Sequence, residues 1–369
     1  MTVGTQAGCS RMQFVYAVIP CMKILECIEG LDRASGVATF VHRISDELVR
    51  QGHSVSVTFD RTDQLVFSPP VAKLPNTNLN ALLWHPDIVH LHGIWSRFSL
   101  RILRWCLAHR VPFIVSPHGG LMPRVFTHGR LKKFFVWHFI LKPLLSRARA
   151  IHCTTETEAN ACRARGLRGP FLIAPLGVDM PTCAPLSENQ AESQYVFYLG
   201  RLSEEKGLVM LLDAWQKVRR DGWRLVLAGP NWRNYQACLE AKIAAEKIAA
   251  IEFVGTIEGE AKSKLYREAA LFVLPSPMEN FSGVVLEALA HGIPAIATKG
   301  TPWAELETHH CGWWIDQGVE PLAQALAKGI ALSPEERKEM GENGKSLAEE
   351  KYQWPKIVNR LLTAYEHKS

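Results

Sequence analysis

Two glutamates lie eight residues apart in the segment 274–298, LPSPMENFSGVVLEALAHGIPAIAT. The segment predicts a strand, a loop that contains Ser and Gly, and a helix that begins near Ser282. The free N–H groups at the start of this helix would suit a phosphate. Glu279 lies in the loop, and Glu287, one turn into the helix, could accept two hydrogen bonds from a vicinal diol such as ribose. The alternative is a pair of surface glutamates that flank a helix.

Two cations follow another predicted strand, Tyr195–Leu199, in the segment YVFYLGRLSEEKG. Arg201 comes just after the strand, and Lys206 precedes the next predicted helix. At the carboxyl end of a strand and beside a helix N-terminus, these cations could neutralise a diphosphate without a metal ion. The alternative is that they pair on the surface with Glu204 and Glu205.

A histidine occupies a similar position in the first half of the chain. His118 comes after the predicted strand Phe113–Ser116 and is followed by Gly119 and Gly120 in VSPHGGLMP. Its side chain should therefore emerge at the carboxyl edge of the sheet, where it could bond a substrate hydroxyl or act in proton transfer. The alternative is a structural histidine. The related segment 90–95, HLHGIW, is less specific, and we interpret it as mostly structural.

The sequence lacks the patterns of several other chemistries. No GxGxxG follows a predicted strand, which argues against a dinucleotide-binding oxidoreductase. Residues 344–346, GKS, resemble the end of a phosphate-binding loop, but Glu339 occupies the position of the required glycine. No Asp-x-Asp pair is present, which argues against a metal-bridged diphosphate, and the adjacent ligands of 309–311, HHC, have no partner pair. We therefore predict a site without a metal ion or a cofactor.

The elements that must position these residues are expected in two domains. The chain of 369 residues is 47% hydrophobic and 21% charged, as in ordinary globular proteins, and its length favours two domains. No apolar run reaches the length of a membrane-spanning helix. Nine cysteines without a CxxC pair favour reduced thiols and a cytosolic protein. We interpret residues 1–21 as an extension before the first strand.

Short β-rich runs alternate with helical patterns, which predicts an α/β class with mostly parallel sheets covered by helices. In the first half, a helical pattern covers 36–51, and the predicted strands are Lys23–Cys27, Ser54–Phe59, Ile88–Leu91, Phe113–Ser116, Ala150–Cys153 and Phe171–Ala174. In the second half, the predicted strands are Tyr195–Leu199, Arg224–Ala228, Ile251–Phe253, Leu271–Leu274 and Ala295–Ala297, with helices near 207–220, 234–248, 261–269 and 283–291.

A Pro-, Ser- and Glu-rich stretch, 179–194, predicts a linker between these halves. We therefore expect a first domain at 22–178 and a second at 195–353, with the ligand cleft between them. The last segment, 354–369, predicts an amphipathic helix.

The net charge is divided unevenly along the chain. Residues 1–178 carry 21 Lys and Arg against 10 Asp and Glu, whereas residues 179–369 carry 21 against 26. Between residues 88 and 155 no acidic residue occurs. A surface of one sign attracts anionic partners such as nucleic acid, anionic lipid or a phosphorylated substrate. The alternative is a solvated basic face without a partner.

Taken together, these segments resemble the family 4 retaining glycosyltransferases, whose GT-B architecture has two Rossmann-like domains facing across a cleft. The likeness extends over nearly the whole chain. Glu279 and Glu287 are similar to the family's pair of glutamates. Arg201 and Lys206 are similar to its diphosphate-binding cations, and His118 to its active-site histidine. The segments SPHG, ENF and TPW are similar to a branch found in bacterial surface-polysaccharide assembly.

The resemblance implies a retaining, metal-independent transfer of a sugar from a nucleotide-diphosphate donor to a glycan or lipid-linked glycan. The nucleotide would bind the second domain, with Glu287 on the ribose and with Arg201 and Lys206 on the diphosphate. His118 would contact the donor sugar and Glu279 would orient it, so these two are the expected catalytic residues. The last helix would cross back to the first domain. The remaining expected donor-binding residues are Asn280, Phe281, Ser282 and Gly283.

The opening segment SGVATFVHRISDELVRQGHSV is similar to the glycine loop and first helix of the family. The resemblance therefore implies that Ser35 and Gly36 bind the acceptor. The family usually has two adjacent glycines in this loop, and Ser35 replaces one of them. Leu176 replaces the usual Asn in PLGVD.

The stretch without acidic residues contains a cationic amphipathic segment, 124–149, in which FFVWHFIL follows Lys132 and Lys133 and precedes Arg147 and Arg149. We expect this segment to dock on the anionic inner face of the cytoplasmic membrane, near a lipid-linked acceptor. The alternative is an internal helix whose cations contact only solvent or the acceptor. Nucleic acid is not an expected partner, because no recognised fold signature accompanies the basic stretch.

Two other functions stay open at this point. A nucleotide-sugar epimerase or hydrolase would share this architecture. A catalytically silent nucleotide-binding partner protein would share it too, although the intact pair of glutamates argues against that reading.

Overall fold

The computed structural model describes residues 21–32, 35–61, 63–75, 85–127, 129–181, 194–218 and 222–366. Two parallel sheets form within these residues, which confirms the expected α/β class with two Rossmann-like domains. Most of the predicted linker, the first twenty residues and the end of the predicted last helix lie outside the described residues.

The first domain contains a sheet of seven described strands in the order β3-β2-β1-β4-β5-β6-β7. The strands are β1 (Lys23–Ile28), β2 (Ser54–Phe59), β3 (Ala72–Pro75), β4 (Ile88–His92), β5 (Phe113–Ser116), β6 (Ala150–Cys153) and β7 (Phe171–Ile173). The helices are α1 (Gly36–Arg50), α2 (Arg97–His109), α3 (Arg130–Val136), α4 (Lys142–Leu145) and α5 (Glu156–Ala164). All the strand pairs are parallel, so the carboxyl ends of the strands meet at one edge.

The second domain contains a sheet of six described strands in the order β10-β9-β8-β11-β12-β13. The strands are β8 (Tyr195–Leu199), β9 (Arg224–Ala228), β10 (Ile251–Gly255), β11 (Leu271–Leu274), β12 (Ala295–Thr298) and β13 (Gly312–Ile315). The helices are α6 (Leu208–Val218), α7 (Tyr235–Glu246), α8 (Gly259–Glu268), α9 (Gly283–Ala290), α10 (Glu305–Thr308), α11 (Val319–Ala331) and α12 (Pro334–Lys351), and α13 (Trp354–Glu366) follows them.

Apolar runs form the central strands because a parallel sheet is covered on both faces. In β1, Ile24 packs in one core cluster of the first domain, whereas Leu25 and Cys27 pack in the cluster on the opposite face. Glu26 is a carboxylate in the middle of this strand, and it is fully buried. A buried carboxylate requires hydrogen-bond partners, which are described below.

Helix α1 follows the expected amphipathic pattern. The Ser35 hydroxyl accepts a hydrogen bond from the N–H of Ala38 and caps the helix. Phe40, Ile44 and Leu48, which recur at helical spacing, are buried. The helix therefore covers the sheet beside β1, with its N-terminus near the carboxyl edge.

The last helix, α13, packs on the first domain. Ile357 and Leu361 are fully buried in the same core cluster as Ile24. The chain returns beside the segment that leaves the first domain, where the N–H of Val178 donates to the carbonyl of Tyr352 at 2.8 Å. This contact and the buried face of α13 confirm that the last helix crosses back to the first domain.

Two edge strands, β3 and β13, and five helices had no predicted range in the sequence: α2, α5, α10, α11 and α12. β3 has four residues and ends at a proline, so it lacks the apolar run of a central strand. β13, GWWI, is an apolar run but only half-buried, and no strand was predicted for it. α11 and α12 follow one another near the C-terminus. α12 is mostly polar and contains Gly341 and Gly344, which weaken a helical pattern.

The basic amphipathic segment is built into the first domain. A π-helical turn, Trp137–Leu141, joins α3 to α4, and Trp137, Leu141 and Leu145 are buried in the core. The opposite side exposes the large apolar residues Leu131, Phe134, Phe135 and Phe139. In the described part of the chain, no helix is long and apolar enough to cross a membrane.

Candidate active site

The loop between β11 and α9 carries the first expected group of site residues. Ser282 has a left-handed backbone with φ of 74°, and α9 begins at the next residue, Gly283. The first N–H groups of a helix have no carbonyl partner within it, so those of Gly283 and Val284 remain available to an anion. Glu279 lies in the loop, where its backbone N–H donates to the carbonyl of Gly300.

Lys206 lies beside this loop because two turns pack closely together. Gly207 follows it with φ of 72°, and a Cβ at this glycine would overlap the carbonyl of Pro275 at the end of β11. The Lys206 ammonium donates to a carboxylate oxygen of Glu279, and their side chains are only 18% and 15% exposed. Lys206 therefore pairs within the site and not with the neighbouring glutamates of its own turn.

Arg201 is more exposed than Lys206. Its guanidinium donates to Glu205 at 3.2 Å, which is the surface pair considered as the alternative for this residue. The same group lies 5.2 Å from the centre of the Trp232 ring. Arg201 is thus accessible to an incoming anion. Because its side chain is exposed to solvent, dissolved salt weakens its attraction for that anion.

Two donors orient Glu287. The Lys262 ammonium lies 2.7 Å from one of its oxygens, and the Tyr266 hydroxyl lies 3.0 Å from the other. Burial raises the pKa of Tyr266 well above its usual value, and the adjacent Glu287 raises it further, so the phenol stays neutral. The Glu287 side chain is still 30% exposed, which leaves room for a diol.

His118 follows β5 and is half-buried in the first domain. Its backbone has φ of 49°, and its Nε2 lies 2.9 Å from Nδ1 of His92. Burial lowers the pKa of His118 to about 3, and His152 contributes in the same direction. The imidazole is therefore neutral at physiological pH.

Beneath His118, a buried carboxylate bonds the next imidazole. Nε2 of His92 lies 2.7 Å from Oε2 of Glu26, and both side chains are wholly buried. Burial lowers the pKa of His92 and raises the pKa of Glu26 well above its usual value. Glu26, His92 and His118 thus form a continuous hydrogen-bonded row that ends at the cleft.

A second branch of hydrogen bonds runs through the same core. His90 lies 2.6 Å from the Tyr365 hydroxyl through Nδ1 and 2.6 Å from the Ser116 hydroxyl through Nε2. The Ser116 hydroxyl is also 2.6 Å from Nδ1 of His152, whose Nε2 lies 2.7 Å from the carbonyl of Ala174. Helix α13 therefore takes part in the network through its tyrosine.

Glu26, His90 and His92 bring ligand-type atoms within 4.8 Å of one another. Two ligands of one tetrahedral zinc ion, each about 2.1 Å from the metal, lie about 3.4 Å apart. The 2.7 Å between Glu26 and His92 is instead a hydrogen-bond distance, and His90 is already bonded to Tyr365. We interpret the cluster as a hydrogen-bond network.

Asn280 joins the two domains across the cleft. Its Nδ2 donates to the Thr154 hydroxyl at 2.8 Å and lies 3.1 Å from Oε2 of Glu158. Glu158 also accepts hydrogen bonds from the backbone N–H groups of Thr154 and Gly119. Oδ1 of Asn280 is buried and has no hydrogen-bond partner among the described residues.

The other expected residues have structural contacts of their own. The Phe281 ring is buried against Trp303 in the core of the second domain, so only its backbone can face a donor. The Ser35 hydroxyl caps α1. A Cβ at Gly36 would meet no described atom within 4 Å, so there is open space at this helix start.

Three buried residues next to the site were missed from the sequence: Glu26, His92 and Glu158. For Glu26 the signal was a carboxylate inside an apolar strand, since such a group needs partners. For His92 it was the HLH spacing, which aligns His90 and His92 on one face of β4. We interpreted that segment as mostly structural.

Comparison with known families gives two matches. Residues 35–177 match the family described as "Glycosyl transferase 4-like domain". Residues 186–347 match the family described as "Glycosyl transferases group 1". The two matches fall on the two domains in chain order.

Curated relatives and solved structures cover most of the chain. A GDP-mannose:cellobiosyl-diphosphopolyprenol alpha-mannosyltransferase of Xanthomonas campestris is 25% identical over 76% of this chain and 73% of its own. A GDP-mannose-dependent alpha-(1-6)-phosphatidylinositol dimannoside mannosyltransferase of Mycobacterium tuberculosis is 27% identical over 82% of this chain and 86% of its own. The structure of Anabaena Alr3699/HepE in complex with UDP-glucose has a TM-score of 0.72 and 18% identity, and the match covers 93% of this chain and all of that one.

Proposed function

We infer that this chain, which belongs to the glycosyltransferases of the GT-B architecture, transfers its sugar with retention of the anomeric configuration and without a metal ion. The two family matches confirm the resemblance noted in the sequence. The chain is a glycosyltransferase that uses a nucleotide-sugar donor in the synthesis of glycans or lipid-linked glycans. Retention, metal independence, a lipid-linked acceptor and contact with a membrane make up the proposal.

The observation that carries the metal-free mechanism is the position of Lys206. Its ammonium lies against Glu279, in the loop that leads to the free N–H groups of α9. Negative charge develops on the leaving diphosphate during transfer, and a fixed cation with backbone donors can stabilise it where another transferase uses a metal. A bound diphosphate would compete with Glu279 for Lys206, which frees Glu279 to orient the donor sugar.

The state of His118 does not suit the role of the base in an inverting transfer. An inverting transfer needs a base that takes the proton of the attacking hydroxyl. A histidine whose pKa is held at about 3 is a weak base at neutral pH. We assign His118 to a neutral hydrogen bond with the donor sugar, and the buried, unpartnered Oδ1 of Asn280 offers a second acceptor in the cleft.

Donor binding is tested by calorimetry with UDP, GDP, ADP, CMP and TDP in excess EDTA. We expect one diphosphate to bind, and Lys206→Ala to weaken it about 10- to 100-fold, as expected for the loss of a charge-assisted bond. Glu287→Ala should weaken it too, through the ribose. Lys264→Ala, which removes an exposed lysine of α8, is the matched control. Equal binding by Lys206→Ala and wild type, or binding only with added metal, would contradict the site.

The reaction itself is tested with GDP-mannose first and UDP-glucose second, because the two relatives are named for GDP-mannose and the Anabaena structure is a complex with UDP-glucose. NMR of the product should show the anomeric configuration of the donor. An inverted product would refute retention. Release of free or epimerised sugar without any acceptor would favour a hydrolase or epimerase, and diphosphate binding without turnover would favour a silent partner protein.

The proposed membrane contact is the exposed face of the segment 130–145. Leu131, Phe134, Phe135 and Phe139 are between 52% and 77% exposed, and Lys132 is exposed beside them. Apolar side chains next to cations suit the interface of an anionic bilayer. The surrounding stretch, residues 88–155, has no acidic residue to oppose it. A lipid-linked acceptor would meet the enzyme at this surface, on the inner face of the cytoplasmic membrane.

Of the four cations named above for the amphipathic segment (Lys132, Lys133, Arg147 and Arg149), two are engaged elsewhere. The Lys133 ammonium donates to the carbonyl of Val125, and Arg149 donates to the carbonyl of Tyr365 at 2.7 Å. The membrane test therefore uses the other two cations and the aromatic face.

In sedimentation with vesicles, wild type should bind phosphatidylglycerol-containing vesicles more strongly than neutral ones. The double variants Lys132→Glu/Arg147→Glu and Phe135→Ser/Phe139→Ser should each reduce this binding. Lys217→Glu, on the second domain, is the charge control. Equal binding of wild type to neutral and anionic vesicles would refute the contact.

A further inference from the structure

We propose that Glu26 and His92 are positioning residues for His118, which they hold with its Nε2 protonated toward His92 and its Nδ1 free to accept a hydrogen bond in the cleft. The row is short and direct: 2.7 Å from Glu26 to His92 and 2.9 Å from His92 to His118. This inference rests on the proposed function, because it assumes that His118 meets the donor sugar.

The position of each proton in the network follows from one hydrogen bond whose direction is fixed. A backbone carbonyl can only accept, so His152 donates its Nε2 proton to Ala174 and keeps an unprotonated Nδ1. The Ser116 hydroxyl must then donate to His152 and accept from Nε2 of His90. His90 is therefore unprotonated at Nδ1, and the Tyr365 hydroxyl donates to it.

The same reasoning continues from Tyr365 to the cleft. Since the phenol proton is used on His90, the Tyr365 oxygen, 3.3 Å from Oε1 of Glu26, has only lone pairs to offer. A proton on Oε1 of Glu26 satisfies this contact, and burial favours the protonated carboxyl. Oε2 of Glu26 then accepts from Nε2 of His92. If the proton were on Oε2 instead, Oε1 of Glu26 and the Tyr365 oxygen would face each other as two acceptors.

With Nε2 of His92 as donor, its Nδ1 is the acceptor for the next bond. His118 therefore carries its proton on Nε2, where His92 accepts it. The described residues provide no hydrogen-bond partner for Nδ1 of His118, so its lone pair is free for a ligand. Such a nitrogen accepts a hydrogen bond from a sugar hydroxyl and does not donate one.

Packing protects this arrangement from water. The Phe40 ring of α1 lies 5.9 Å from the ring of His92, 5.8 Å from that of His118 and 5.6 Å from that of His152. Burial lowers the pKa of His90 and His92 well below the usual value, so neither imidazole carries a charge. Neutral rings with fixed tautomers can orient His118 without competing hydration.

The tautomer is tested on the protein without donor. Nitrogen-15 labelling of histidine, with two-bond proton–nitrogen correlation at pH 7, distinguishes a protonated from an unprotonated ring nitrogen. A His118→Asn spectrum assigns the signals. We expect the Nε2–H form of His118 in wild type and a mixture of both tautomers in His92→Phe. An Nδ1–H form in wild type, or an unchanged His118 signal in His92→Phe, would overturn the proposal.

The effect on transfer is measured separately. His92→Phe should lower kcat about 10- to 100-fold, the usual cost of a misplaced group, while diphosphate affinity stays within about twofold because the nucleotide binds the other domain. Glu26→Gln can donate to Tyr365 and accept from His92, so it should keep the wild-type tautomer and kcat within about threefold. Glu26→Leu should lower kcat as His92→Phe does.

A matched control removes another buried histidine of the same domain. His53 bonds the N–H of Met22 and lies outside the network, so His53→Phe should leave the tautomer and kcat unchanged. A Glu26→Gln variant as inactive as Glu26→Leu would refute the neutral carboxyl. One equivalent of tightly bound metal in the purified protein would refute the hydrogen-bond network. If no sugar transfer is found at all, the proposed function fails, and the tautomer spectra still decide this inference.

Discussion

Replacing Asn280 by aspartate puts a carboxylate where an amide now donates across the cleft. The amide nitrogen is 3.1 Å from Oε2 of Glu158 and 2.8 Å from the Thr154 hydroxyl. Two unit charges 3.1 Å apart repel by about 5 kcal/mol at an effective dielectric constant of 20. The two lost hydrogen bonds add about 1 kcal/mol each. The substitution therefore opposes closure of the domains with almost no change in side-chain size.

Protonation of one carboxyl limits this cost. To protonate a carboxyl whose usual pKa is about 4 costs about 4 kcal/mol at pH 7. This cost falls by about 1.4 kcal/mol for each unit by which the pH is lowered. We therefore expect kcat/KM of Asn280→Asp to be at least 100-fold below that of wild type at pH 7. The ratio of the two values should rise about tenfold for each pH unit between pH 7 and pH 5. Small-angle scattering with donor should give a larger radius of gyration at pH 7.

Asn280→Ala separates the two contributions, because it removes the donor without adding a charge. It should show a smaller loss that is the same at both pH values. The reasoning is refuted if the two variants behave alike, or if the loss in Asn280→Asp does not change between pH 7 and pH 5. Thermal melting should be unchanged in both variants, since the contact lies between domains.

Three further outcomes follow from the cores and the buried histidines. Gly341→Ala should destabilise the second domain by about 1–3 kcal/mol in urea, because its Cβ would overlap the carbonyl of Gly292, whereas Glu342→Ala, exposed on the same helix, should have no effect. Leu361→Ala should cost about 2–5 kcal/mol, and a cost below about 1 kcal/mol would show that α13 does not pack on the first domain. The pKa of His118 is lowered from about 6.5 in the unfolded chain to about 3 in the folded protein. Between these pH values the unfolded state binds more protons, so stability decreases as the pH is lowered. Wild type should lose about 2 kcal/mol more than His118→Asn between pH 7 and pH 5, and equal losses would contradict the lowered pKa.

The sequence predicted the central strands as short runs rich in apolar and β-branched residues, either continuous or, as in SVSVTF, alternating with polar residues. Ser54–Phe59, Phe113–Ser116 and Leu271–Leu274 have the predicted bounds. Two of the four edge strands, β7 and β10, were predicted, whereas β3 and β13 were missed. β3 is short and ends at Pro75, and no strand was predicted for the short apolar run of β13. No helix was predicted at α12, which is mostly polar and contains two glycines that weaken a helical pattern. In the structure Gly341 lets α12 approach α9 closely, which no local pattern encodes.

The sequence also predicted one part of the candidate site and missed another. His118, Lys206 and Glu279 lie in the loops that follow β5, β8 and β11, so the parallel topology predicts that they lie near the carboxyl edges of the sheets. The partners beneath them depend on strand register. Glu26 lies opposite His90 across the β1–β4 pair, and the two residues are far apart in sequence. Nor could the sequence predict that Phe281 packs into the core while its neighbour Asn280 bonds the other domain.

The return of α13 to the first domain sets the order in which the two cores can form on the ribosome. Residues 195–351 emerge as one continuous stretch that contains every described strand of the second sheet. The last strand of the first sheet ends at residue 173, but the face of this sheet near Ile24 is covered only after Ile357 and Leu361 have been synthesised. At 5–20 residues per second, that wait is roughly 10–40 s. The domain that begins first is therefore completed last, and its uncovered apolar face during translation is where a chaperone would bind.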